Sequence, residues 1–150
     1  MNFYIFINSD GFDLDDKKVY APEIASYRLK NRSYPLYSAT RRKKSLKPKD
    51  CFIFYLSGTQ HGRRVFIAHG KIKEVVKDKN YSEDSVHLSK PIDEVVKLKS
   101  ISIGNPLSIY DVKEKLSFIT KKKKWGAAMQ GGIIKISEKD YGLIVKEMSK

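Results

Sequence analysis

The residue types that could carry metal or nucleophilic chemistry are few and poorly spaced for it. Three histidines, His61, His69 and His87, form no i,i+4 pair, and with a single cysteine, Cys51, there is neither an HExxH nor a CxxC arrangement. No metal site is expected. The acidic stretch Asp10-Gly11-Phe12-Asp13-Leu14-Asp15-Asp16 places Gly and Phe where a calcium loop needs oxygen ligands and lacks its bidentate Glu, so it reads as a solvated loop. Leu56-Ser57-Gly58 lacks the Gly that precedes the Ser of a nucleophile elbow, which leaves Ser57 as a strand-end residue. Asp111-Val112-Lys113 is the most compact carboxylate and lysine set, but it falls in a predicted helix instead of on a nuclease strand. A GxxxxGK[ST] phosphate loop is absent as well. These residues predict a non-enzymatic chain with no cofactor and no metal.

Positive charge is the stronger signal. Thirty Lys and Arg against 17 Asp and Glu leave a formal net charge of +13, and such an excess favours a polyanion, because each phosphate neutralised releases condensed counterions. It concentrates in Arg41-Arg42-Lys43-Lys44, followed by Lys47 and Lys49, and in Lys121-Lys122-Lys123-Lys124. A charge run by itself reads equally as a solvated face. Here each run adjoins aromatics: Tyr34 and Tyr37 precede the first and Trp125 follows the second. Cations that hold a backbone beside rings that stack a base are the working parts of nucleic-acid recognition. Tyr4, Phe52, Phe54 and Phe66 sit within apolar runs and are expected in the core, whereas Tyr37 and Trp125 lie in polar, turn-rich surroundings.

The elements that must position these groups follow from the apolar pattern. A length of 150 residues is a single domain, residues 1–150, and 41% hydrophobic with 31% charged residues is the composition of a folded one. One cysteine permits no internal disulfide, and the absence of a membrane-length apolar run or a basic leader points to a cytoplasmic chain without a membrane partner. Phe3 to Ile7 reads as a strand buried on both faces, the segment with Tyr20, Ile24 and Tyr27 at i, i+4, i+7 as a short amphipathic helix with Pro22 at its first helical position, and Cys51 to Leu56 with Arg64 to Val76 as a hairpin around Gly58 and Gly62. Val86 to Ile103 holds one or two further strands. Asn105-Pro106 predicts a helix through about Leu116, Gly131 to Ile136 a short strand, and Ser137-Glu138-Lys139-Asp140 a capping box that opens a last helix. The sum is an α+β domain: a curved, mostly antiparallel sheet or small barrel with helices packed around it.

The segment Tyr34-Pro35-Leu36-Tyr37-Ser38-Ala39-Thr40, the basic stretch after it, Lys47-Pro48-Lys49-Asp50-Cys51-Phe52-Ile53-Phe54-Tyr55-Leu56-Ser57-Gly58 and Arg64-Val65-Phe66-Ile67-Ala68-His69-Gly70 resemble the EVE and YTH branch of the PUA-like superfamily. EVE domains carry a Gly-Asp turn before a strand that ends in Tyr; Lys49-Asp50 and Tyr55 stand at those places. YTH domains carry Trp-Ser-Thr where Tyr37-Ser38-Ala39 stands, and a polar pair at the end of the first strand, as Asn8-Ser9 is here. Trp125-Gly126, then Gly132-Ile133-Ile134 and Ile136-Ser137-Glu138-Lys139-Asp140-Tyr141, look like the EVE ending.

The resemblance implies a pocket that admits one modified base, methylated adenine in YTH domains and modified cytosine in EVE domains, and a kinship with the DNA-reading modules of Mcr-type restriction GTPases. On that basis Asn8, Ser9 and Asp10 are expected to bond the base edge, Tyr34, Tyr37, Tyr55 and Trp125 to form the cage, and Ser38 and Ala39 to lend backbone groups. Arg41, Arg42, Lys43, Lys44, Lys122, Lys123 and Lys124 are expected to hold phosphates. The expected partner is DNA with a modified base, read by base flipping within a prokaryotic modification-dependent restriction system whose GTPase motor lies outside this chain. An RNA-binding PUA-like module is the alternative. A hydrolase of the ASCH type is the second, marked by a Lys and carboxylate pair converging in the pocket.

Overall fold

The computed structural model describes residues 1–37, 45–83, 86–88, 91–130 and 132–150. Along the chain run β1 (Phe3–Asn8), β2 (Gly11–Phe12), β3 (Lys18–Val19), α1 (Ala21–Lys30), β4 (Ser33–Tyr37), β5 (Cys51–Leu56), β6 (Val65–Lys77), β7 (Ile92–Ser108), α2 (Ile109–Val112), β8 (Ile133–Ile136) and α3 (Glu138–Met148). Six strands form one sheet in the order β4-β7-β6-β5-β1-β8, and β2 pairs with β3 alone. β1 and β5 are apolar at nearly every position because they lie inside the sheet with both faces covered. They pair parallel, Phe3 against Cys51 through Asn8 against Leu56, and the other pairings are antiparallel.

Strand alternation sorts their side chains into two cores. Tyr4, Phe6, Phe52 and Phe54 join Tyr34 and Leu36 on the face that α1 covers with Ala21 and Ala25. Ile5, Ile7, Ile53 and Tyr55 join Ile109, Leu116 and Ile144 on the other face. The sheet curls strongly, helped by register shifts in the β6 and β7 ladder that increase local twist. The curl brings edge strand β4 back onto β1: the Tyr34 hydroxyl donates to the Ile7 carbonyl at 2.6 Å, and its ring stacks on Phe6 with centroids 4.6 Å apart.

Local chemistry explains most boundaries. Gly58 and Gly62 turn the β5 to β6 hairpin with φ of +125° and +80°, conformations that favour glycine. Ser137 caps α3 by accepting the Asp140 N–H at 3.1 Å. The expected reciprocal half of the box is absent, since the Asp140 carboxylate instead accepts the N–H groups of Ser117 and Phe118 and the Ser117 hydroxyl, tying that loop to α3. The helix expected from Asn105-Pro106 is a strand. β7 continues to Ser108, and residues 104–106 lie where only Ile67 stands between the paired positions of β6, a bulge that leaves Pro106 outside the paired positions. The helix begins only at Ile109, where the Ser108 side chain accepts the Tyr110 N–H.

At the turn before β5, Lys49 occupies the left-handed region with φ of +76°, at the position where the resemblance expects Gly. The buried Asp50 carboxylate locks this turn by accepting the N–H groups of Asn2 at 2.8 Å and Lys47 at 3.0 Å. Lys49→Gly removes left-handed strain of about 1–2 kcal/mol and adds unfolded-state entropy of about 0.5–1 kcal/mol. A Tm raised by about 1–2 °C is the expected result in a thermal melt; a lowered Tm would show that Lys49 contributes more than backbone geometry.

Candidate functional site

Where β4 closes on β1 the curl leaves a cleft of about 820 Å³. Four segments converge on it: Tyr34 and Tyr37 from β4, Ser9 and Asp10 from the end of β1, Phe12 from β2, and Val86, His87 and Leu88 from the connection between β6 and β7. Arg28 enters from α1 and Gln130 from the segment before β8. The His87 N–H donates to the Phe12 carbonyl at 2.7 Å, so two of these walls are joined.

Arg28 anchors the site. Ala21, Ile24, Ala25 and Arg28 are the buried residues of α1 and follow i, i+3, i+4, i+7, so the cation occupies the last place of the apolar stripe. It is only 7% exposed. Its Nε and Nη2 donate to the two Glu83 oxygens at 2.7 and 2.9 Å, and Nη1 donates to the Asn8 side-chain carbonyl at 3.0 Å. Burial presses the guanidinium towards the neutral form, but the Glu83 carboxylate outweighs it and holds Arg28 charged. The Tyr81 hydroxyl donates to the same carboxylate at 2.7 Å, and the Arg28 guanidinium lies over the Tyr34 ring, 5.2 Å from its centroid. Burial pushes the Tyr37 hydroxyl above its ordinary value, opposed in part by the charge of the nearby Arg28 guanidinium. The phenol is therefore protonated at neutral pH and available to donate.

Asp10 is held from several sides. Its carboxylate accepts the Ala21 N–H at 2.8 Å, capping α1 from outside the helix, where Tyr20 supplies no side-chain cap. It pairs with Arg63 at 2.8 Å. Burial alone would raise its pKa, but the Ala21 N–H and Arg63 prevail and hold it below the usual carboxylate value. Ser9 and Ser57 share a hydrogen bond of 2.7 Å between hydroxyls beside it.

The EVE domain family matches residues 32–147, most of the chain. The chain belongs to the EVE domain family. No curated protein matches it. Among solved structures it is similar to the N-terminal domain of Staphylothermus marinus McrB, with a TM-score of 0.60 and 12% identity over 96% of this chain and 93% of that one. It is similar to Rpa0253 from Rhodopseudomonas palustris, with a TM-score of 0.57 and 9% identity over 99% and 93%. The human THYN1 protein, solved in complex with 5-methylcytosine-containing DNA, gives a TM-score of 0.61 and 14% identity over 100% and 99%. At these identities the likeness shows the fold, the curled PUA-like sheet with helices.

Within this EVE domain the residues named from sequence divide. Tyr34, Tyr37, Ser9 and Asp10 come together at the cleft. Asn8 lies beneath it, fully buried, its amide donating to the Phe6 and Tyr55 carbonyls and its carbonyl accepting from Arg28, so it positions Arg28 and does not face a ligand. Tyr55 is on the other face of the sheet, against Phe66, because it follows the inward-facing Phe54 by one residue. Trp125 is also elsewhere: the 3-10 segment Lys122–Met129 sets it against Tyr110 and Arg64. Lys122 is bound internally, its ammonium donating to the Lys113 and Leu116 carbonyls, while Lys123 and Lys124 are exposed. Ser38, Ala39, Arg41, Arg42, Lys43 and Lys44 lie outside the described residues. Sequence reasoning missed Arg28, Glu83, Phe12 and His87. Only Arg28 left a trace there, as a charge at the end of an apolar helical stripe.

Proposed function

We propose that this EVE domain reads modified bases in DNA, taking one extruded base into the cleft between β4 and the end of β1. The cleft itself carries the reading. Its volume of about 820 Å³ lies within the roughly 300–1,000 Å³ of small-molecule pockets. It offers a half-buried aromatic ring, Tyr37, for stacking, the phenol of that ring and the Ser9 hydroxyl for the base edge, and an apolar side formed by Phe12 and Leu88. A chain of net charge +13 supplies the long-range attraction for phosphate. The human THYN1 complex, in which a domain of the same fold holds 5-methylcytosine-containing DNA, supports DNA as the polymer. The similarity to the McrB N-terminal domain supports a place in a modification-dependent restriction system, with the motor outside residues 1–150. Extrusion costs a few kcal/mol of stacking and pairing, which the aromatic contact and edge hydrogen bonds offset.

In this reading the chain binds and does not cleave. An ASCH-type hydrolase would converge a Lys and a carboxylate in the pocket. Among the described residues Lys18 lies 3.7 Å from Asp10, but Lys18 does not line the cleft, and Asp10 is already engaged by Ala21 and Arg63. The deciding experiment compares duplexes carrying no modification, 5-methylcytosine or N6-methyladenine, together with matching RNAs. Preference for one modified DNA is expected; preference for RNA would replace this reading with the RNA-binding one. Affinity for duplex DNA should also fall with a log-log salt slope on the order of −5 to −7, as five to eight phosphate contacts give. A slope near zero would reject electrostatic docking.

A further inference from the structure

A second cationic and aromatic cluster stands outside the cleft. The Arg64 guanidinium lies 5.3 Å from the Trp125 ring centroid, and Tyr110 meets Trp125 edge-on at 5.4 Å. Arg64 Nε donates to the Gly58 carbonyl at 2.9 Å, and Nη1 donates to the Tyr110 hydroxyl. Its backbone N–H donates to the Leu56 carbonyl at 2.7 Å. Arg64 is thus a cation held in one orientation by two rings and a carbonyl, and its backbone is in the left-handed region with φ of +62°. Tyr110 is 51% exposed, so its ring is open to solvent beside Arg64. Lys121, Lys123 and Lys124, next to Trp125, are exposed. Of the nearby acids, Glu114 is paired with Lys113 at 3.6 Å, which leaves Asp111 against these cations.

We infer that Arg64, Tyr110 and Trp125, with Lys123 and Lys124, form a second nucleic-acid contact that grips the sugar-phosphate backbone of the duplex flanking the extruded base. This rests on the cleft being a base pocket and extends it. Two segments tie the cluster to the cleft rim. Ser57 lines the cleft, and the Gly58 carbonyl beside it holds Arg64; Met129 lines the cleft at the end of the 3-10 segment that carries Trp125. A duplex offering one base to the cleft therefore lays its neighbouring backbone over this cluster. A guanidinium oriented in advance loses little freedom on meeting phosphate, and the flanking lysines add charge without base selectivity.

Trp125 is the single tryptophan of the chain, so indole fluorescence reports on this cluster and not on the cleft. The test titrates the full chain with labelled unmodified and 5-methylcytosine duplexes, following DNA anisotropy for binding and indole emission, with iodide quenching, for contact. Both duplexes should change the emission and shield the indole from iodide in step with the anisotropy. The double variant Lys123→Ala, Lys124→Ala, whose side chains are exposed, should weaken both duplexes by roughly tenfold, reduce the salt slope by about 2 and leave the ratio of the two affinities unchanged. Tyr110→Ala should act in the same direction with an unchanged melting temperature. Anisotropy that saturates while indole emission and iodide access stay constant, or a lysine variant with unaltered affinity and slope, would overturn this contact and leave the cleft reading intact. Absence of duplex binding altogether would overturn both.

Discussion

Replacing Glu83 with Ala is expected to destabilise the chain by about 3–5 kcal/mol, because it leaves the Arg28 guanidinium buried without its counter-charge. Arg28 and Glu83 are 7% and 5% exposed and share two hydrogen bonds, so solvent cannot take over either charge. For a domain of this size the loss corresponds to a fall in Tm of roughly 10 °C or more, a large part of the usual margin of about 5–15 kcal/mol. The double variant Arg28→Met, Glu83→Leu should recover part of the stability, since an apolar pair of similar volume avoids the desolvation of both ions while the buried Asn8 carbonyl and the Tyr81 hydroxyl lose a partner. Thermal melts of the single and double variants decide this. A single variant within about 1 kcal/mol of the parent would mean that the pair is solvated and is not the anchor of the site. The double variant also separates folding from reading. It restores packing yet removes the cation beside the Tyr37 hydroxyl, so its discrimination between modified and unmodified DNA should fall even where its Tm does not.

Tyr37→Ala should reduce affinity for the preferred modified duplex by about 1–3 kcal/mol, the loss of one base and aromatic stack, and change binding to unmodified DNA little. The ratio of the two affinities should then collapse towards one. Tyr37 lies just past a register shift at the end of β4, half-buried, with its ring on the cleft and its hydroxyl beside Arg28. Tyr37→Phe keeps the ring, so it should retain most of the affinity and lose only what the hydroxyl contributes, about 0.5–1.5 kcal/mol for a typical hydrogen bond. If Tyr37 is instead a packing residue, the Ala variant will lower Tm and weaken every duplex alike, as a large-to-small core substitution does. Measuring Tm beside both affinities distinguishes these outcomes, and an unchanged ratio in a stable Tyr37→Ala variant would remove Tyr37 from the site.

Short-range order was written in the residues themselves. Continuous apolar runs at Phe3 to Ile7 and Cys51 to Leu56 specify strands that tolerate water on neither face, and Gly58 and Gly62 mark the turn that pairs β5 with β6. Pro22 opens α1, and Ser137 opens α3. The charge is legible in composition alone, and the family likeness in the resemblance of the residues from Tyr34 to Gly70 to EVE domains. What sequence could not carry is which way a strand faces and which loops meet. Tyr34 and Tyr55 are both strand tyrosines, yet one clasps β4 to β1 at the cleft while the other packs under Phe66, because the phase of the alternation depends on which neighbours cover each face. Trp125, expected in the cage, is elsewhere for the same kind of reason: it follows a kink at Lys124 within the segment Lys122–Met129 and meets Arg64 and Tyr110, contacts that no local pattern announces. The pair at the base of the cleft joins Arg28 of α1 to Glu83 of the connection between β6 and β7, two segments with no local relation, brought together only when the six-stranded sheet curls on itself. Backbone propensity acts over a few residues, whereas burying a charge beside its counter-charge is a property of the closed sheet.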